Sequence, residues 1–78
     1  MTGHELKELR VALGMSCDEL GVALGFEGNR DTERRRIRRL EALGGERLPA
    51  RVAERVQARM ADLMRKELER LDVLREEL

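Results

Sequence analysis

Aromatic side chains are almost missing from this chain: of its 78 residues only Phe26 carries an aromatic ring, with no Trp or Tyr beside it. A core must then be assembled from Leu, Val, Ala, Ile and Met, which favours packed helices over a β-sandwich. The same shortage disfavours single-stranded nucleic acid as a partner, since such recognition stacks bases on rings. Cysteine occurs once, at Cys17, so no disulfide closes within the chain and no thiolate zinc site forms in it. A reducing cytoplasm is the expected compartment. No apolar run approaches membrane-spanning length, and the opening Met-Thr-Gly-His-Glu-Leu-Lys lacks the apolar stretch of a signal peptide, so no membrane partner is expected. A charge excess is missing as well. Sixteen basic and sixteen acidic side chains cancel, which argues for weak non-specific binding to polyanions.

What is present is helical periodicity. A chain this short buries a limited fraction of its surface, so a second copy is a natural source of further core and a homodimer is expected. Leu6, Leu9 and Leu13 recur at helical spacing over about residues 3–13, and Gly14 supplies a stop. Ser16 stands three residues before Glu19, the capping-box spacing, and Leu20, Ala23 and Leu24 form the apolar stripe of a second helix ending at Gly25. Gly28-Asn29 signals a loop from Gly25 to Asp31 with Phe26 tucked into the core. Asp31 or Thr32 is the expected cap of a third helix running to about Leu43, before the break at Gly44-Gly45. Pro49, the only proline, suits the first position of a fourth helix that meets no Gly or Pro through Leu78. The fold class expected is all-α, with four to five helices and a long C-terminal one.

That last helix outruns the domain it starts from. Ala53, Val56, Met60, Leu63 and Met64 suit packing on the three short helices, while Leu68, Leu71, Leu74 and Leu78 continue the stripe. Met60, Leu63, Met64, Leu68, Leu71, Leu74 and Leu78 are therefore the expected dimer interface. Gln57 and Glu67 interrupt a strict heptad, which favours a short antiparallel or crossing pair over a long parallel coiled coil. Asp62 with Lys66 and Arg65 with Glu69 are spaced as surface pairs.

The cationic residues are concentrated rather than spread. Residues 30–39 hold six arginines against Asp31 and Glu33, and no acid interrupts positions 34–40. At 100° per residue Arg34, Arg35, Arg38 and Arg39 cover an arc of roughly 140°, with Ile37, Leu40 and Leu43 on the other side. A charged helix face is often only solvated. Here the apolar back of the same helix and the helices upstream supply a scaffold, and guanidinium forks match both phosphates and the O6/N7 edge of guanine.

Leu9-Arg10, Leu13-Gly14-Met15-Ser16, Glu19-Leu20-Gly21, Leu24-Gly25-Phe26 and Ile37-Arg38-Arg39-Leu40-Glu41 together resemble the helix-turn-helix of Cro/C1-type (Xre-like) phage repressors, over about residues 5–51. The resemblance implies a DNA-binding region at residues 1–48, followed by a packing and dimerisation helix at 49–78. It implies that Arg34 and Arg35 contact base edges, with Arg39 a turn further on and Arg38 between them on a base or a phosphate. Ser16, Arg47 and Arg51 would hold phosphates, Arg36 a phosphate or an intramolecular carboxylate, and Asn29, Arg30 and Thr32 would touch a phosphate or stay solvated. Arg10 and Glu41 would form a structural pair. Cys17 replaces the family's usual Gln, Gly21 its customary Ala, and the loop between the motif helices reads about six residues longer than usual.

An enzyme is not expected. The lone His4 has no catalytic partner in sequence, no paired carboxylates suggest a cleft, and the glycines form no phosphate-binding loop. No cofactor, metal or small-molecule ligand is implied. The expected function is a homodimeric repressor or autoregulator on an inverted-repeat operator in double-stranded DNA, of phage or mobile-element type, such as an anti-CRISPR-associated regulator. The rival expectation is an antitoxin-like module that binds a toxin through its C-terminal helix.

Overall fold

Three of the four helices open on a side-chain cap. In the computed structural model, which describes residues 1–77, α1 spans Gly3–Ala12, α2 Cys17–Ala23, α3 Arg30–Glu41 and α4 Ala50–Glu77. Thr2 and Glu5 form a capping box at α1 that the sequence reading did not anticipate, and Ser16 and Glu19 form the expected one at α2. At α3 the cap is Asn29, whose side-chain oxygen accepts from the Thr32 N–H at 2.9 Å, and not Asp31 or Thr32. The helix therefore starts earlier than expected, and Asp31 falls in its first turn. Six residues, Leu24–Asn29, separate α2 from α3. Against the three or four of an ordinary helix-turn-helix turn, the excess is two or three residues rather than six. Pro49 lies one residue ahead of α4, its carbonyl accepting from Val52 and Ala53.

The molecule is all-α, and its helices enclose one buried cluster. Leu6, Leu20, Leu24, Ile37, Leu40, Leu48 and Val56 form it, and Met1, Leu9, Phe26, Val52, Ala53 and Met60 are among the residues packed against it. Burying each of these aliphatic side chains fully contributes about 1.5–3 kcal/mol. Leu48 and Met1 were not legible as core, because a tertiary contact buries them. The segment after α3 folds back along the N-terminus: Thr2 and Arg47 pair in an isolated antiparallel bridge, and the Leu48 N–H donates to the Met1 carbonyl at 2.8 Å. Gly3 permits this approach. A Cβ there would meet the Leu40 carbonyl at 2.6 Å and the Gly44 nitrogen at 2.8 Å, both backbone atoms without room to yield.

α4 runs 28 residues, and only its first half reaches the core, through Val52, Ala53, Val56 and Met60. Beyond these, Leu63 is half-buried while Met64, Leu68, Leu71 and Leu74 remain 51%, 61%, 44% and 46% exposed. Leu78, also expected in this stripe, lies outside the described residues. On the polar side Asp62 pairs with Arg65 rather than Lys66, Arg65 also reaches Glu69, and Arg70 pairs with Glu67. No helix among the described residues is long and apolar enough to cross a membrane.

Candidate nucleic-acid interface

The attitude of α3 is set by the row it buries. Glu33, Ile37 and Leu40 occupy one face at i, i+4 and i+7, and the face crosses α2 at Gly21. A Cβ at Gly21 would come within 2.7 Å of both Cβ and Oε2 of Glu33, so the two backbones approach closely enough to make the position nearly glycine-only. Glu33 is fully buried. Its Oε1 accepts from the Gly28 N–H at 3.0 Å and faces Nη1 of Arg36 at 3.3 Å, whereas its Oε2 has no hydrogen-bond partner. In the sequence Glu33 reads only as one of two acids among six arginines. The i, i+4, i+7 row with Ile37 and Leu40 was the available signal, masked by the usual preference of carboxylates for water.

Opposite this row lie the arginines. Arg34, Arg35, Arg38 and Arg39 are all exposed. Among the described residues Arg35, Arg38 and Arg39 make no ion pair, while Arg34 meets Asp31 at 3.4 Å. Asp31, one turn upstream, thus tempers one of the four. Thr32, Arg35, Arg36 and Arg39 line a shallow basic groove of about 240 Å³ along one flank of α3. Arg36 makes the intramolecular contact of its two expected alternatives: besides pairing with Glu33, its guanidinium stacks 4.5 Å from the Phe26 ring centroid.

The remaining positions divide. Arg30 is exposed and approaches Asp18 at 3.8 Å. Asn29 is exposed and spends its side-chain oxygen on the cap. Arg47 has its backbone in the Thr2 bridge and its side chain outside, and Arg51 is exposed on the first turn of α4. Arg10 and Glu41 meet in a two-pronged pair of 2.8 and 3.1 Å, and Arg10 also donates to the Met15 carbonyl. The hydrogen bond to Glu41 raises the Arg10 pKa above its ordinary value. Cys17 sits 3.8 Å from the same carboxylate.

Ser16 needs correcting as a phosphate ligand. Its hydroxyl donates to Asp18 at 2.7 Å and accepts from the Glu19 N–H, while its own N–H donates to Glu19 Oε1 at 3.1 Å. Two carboxylates therefore hold the helix end where a phosphate was expected, and a third anion would be repelled. The Ser16 hydrogen bonds are the main cause that lowers the pKa of Asp18 and of Glu19. Because both folded values lie below the unfolded ones, this stabilisation is complete above the ordinary carboxylate range and is lost as pH falls through the lowered values. Ser16→Ala should cost about 1 kcal/mol of stability near neutral pH, with a smaller difference from wild type in strong acid, and leave duplex affinity unchanged. Thermal unfolding against pH, alongside a DNA titration, checks both halves.

Among the described residues no group of His, Cys, Asp or Glu is arranged to hold a metal ion. No protein-family model, curated protein or solved structure matches this chain.

Proposed function

We propose that this protein is a sequence-specific binder of double-stranded DNA that acts as a repressor, or as regulator of its own gene, when two copies occupy an inverted-repeat operator. The observation that carries the reading is the exposed row Arg35, Arg38 and Arg39, unpaired on a helix whose opposite face is anchored in the core. Unpaired guanidinium groups on a rigid rod have no internal ion pair to break, so a major groove can engage them without dismantling contacts of the fold. The resemblance of residues 5–51 to Cro/C1-type repressors supports the same reading, with a phage or mobile-element operon as the setting. Exposed leucines on α4 supply the contact between copies, and blocked access of polymerase to the promoter supplies repression.

Titration of a fluorescent duplex taken from the DNA immediately upstream of the gene tests this. Saturable binding is expected, at least about a thousandfold tighter than to a scrambled duplex at equal salt. Equal affinity for both duplexes, or no binding at low ionic strength, sinks the proposal. A second reading, in which the α4 stripe covers a toxin-like protein, draws on the same exposed leucines; a purified chain that sediments as a monomer would favour it.

A further inference from the structure

The two flanks of α3 are chemically unlike. On one side Arg30 and Arg34 face Asp18 and Asp31, next to the α2 end that holds Asp18 and Glu19. On the other, Arg36 lies over Phe26, and the guanidinium of Arg55, from α4, lies over the same ring at 4.9 Å. Arg55 also donates to the Gly25 carbonyl at 3.3 Å, and Nη2 of Arg59 would stand 3.1 Å from a Cβ on Gly25. Both side chains thus drape from α4 onto the loop that leads into α3.

Arg51, Arg55 and Arg59 are exposed, follow one another at four-residue steps, and rise about 6 Å per step along the helix. None of the three makes an ion pair among the described residues, although Glu54 shares their helix, whereas Arg65 and Arg70 farther along are both paired. A positive surface, in which only Arg36 has a carboxylate partner among the described residues, therefore runs from the groove of Thr32, Arg35, Arg36 and Arg39, across the Phe26 ring, to α4.

A helix lying in a major groove about 12 Å wide has a phosphate bank on each side. The bank facing α2 meets carboxylates. The geometry points to α4 as a second DNA-contacting element, in which Arg55 and Arg59, with Arg51, hold backbone phosphates on the Arg36 side of the groove. This inference rests on the DNA-binding reading above and transfers to α4 the grip that the acidic start of α2 does not provide. Phosphate contacts of this kind carry no sequence information; they fix the register in which α3 presents its arginines.

The test is the salt dependence of binding to a mixed-sequence duplex of about 30 base pairs, titrated between about 50 and 200 mM KCl. Arg55→Gln/Arg59→Gln should flatten the slope of log K against log salt by about 1.8, or roughly 0.9 per lost phosphate. The charge-matched Lys7→Gln/Arg65→Gln should leave it near the wild-type value. Thermal unfolding of each variant monitors loss of the Phe26 stack. If the double variant unfolds early, Arg51→Gln/Arg59→Gln, which keeps the stack, takes its place with the same expected slope. An unchanged slope, or an equal drop in the control, overturns the role of α4 while leaving the DNA reading intact. Failure of the wild-type chain to bind any duplex overturns both, and binding of an acidic protein with unaltered DNA slopes reassigns the patch to that partner.

Discussion

Replacing Leu68, Leu71 and Leu74 together by Ser is expected to halve the sedimenting mass and to lower operator affinity by at least a hundredfold. These side chains lie beyond the core and are 61%, 44% and 46% exposed in the single chain, so their loss removes little from the folded monomer. In a dimer six such leucines each cover about half a side chain, worth about 1 kcal/mol apiece, or about 6 kcal/mol in total. That corresponds to roughly four decades in the dimer equilibrium, more than a marginal interface withstands. A monomer reads one half-site and forfeits the gain from tethering two. The circular dichroism and the buried cluster around Ile37 should stay as they are. An unaltered mass would show that copies meet elsewhere or not at all.

The second large effect concerns sequence choice. Arg35→Ala and Arg39→Ala should each erase about 1–3 kcal/mol of discrimination at one base pair, equivalent to roughly five- to 150-fold, while affinity for scrambled DNA falls much less. Arg47→Ala, by contrast, should weaken binding to every duplex about equally and reduce the salt slope by about one. Arg34→Ala is expected to have the mildest effect of the arginine face because Asp31 already engages that guanidinium at 3.4 Å. Selection from a randomised duplex pool, run in parallel for the four variants, separates these cases. Uniform, sequence-independent losses throughout would place the arginines on phosphates alone.

Elements with a local cause were legible in the sequence. The 3.6-residue recurrence of Leu6, Leu9, Leu20, Leu24, Ile37 and Leu40, punctuated by Gly14, Gly25 and Gly44, locates the first three helices to within a few residues, and Pro49 marks the start of the fourth. The Ser16-Glu19 box was readable for the same reason, since both partners lie within one turn. The Arg10–Glu41 pair, 31 residues apart, came only through the family resemblance. What escaped depended on contacts that spacing does not encode. Leu48 is buried because the chain after α3 returns to Met1, and Arg55 and Arg59 reach the α2–α3 loop because α4 crosses beside it. Glu33 is hidden because its charge masks its place in an apolar row, and the Asp31–Arg34 contact because Asp31 reads equally well as a helix cap. The helix-start preference for Asp and Thr outweighed Asn29, although all three types cap well.

The contact between Gly21 and Glu33 also constrains how this chain can change over generations. Because an added methyl at 21 would meet both Cβ and Oε2 of residue 33, shortening Glu33 removes only part of the clash, since its Cβ stays in place. Any larger residue at 21 pries α3 away from α2, whichever site changes first. Shortening Glu33 also deprives Arg36 and the Gly28 N–H of their shared acceptor, so it loosens the arginine-bearing helix without making room at 21. The exposed arginines above can vary without disturbing the fold, whereas drift at the crossing beneath them is slow.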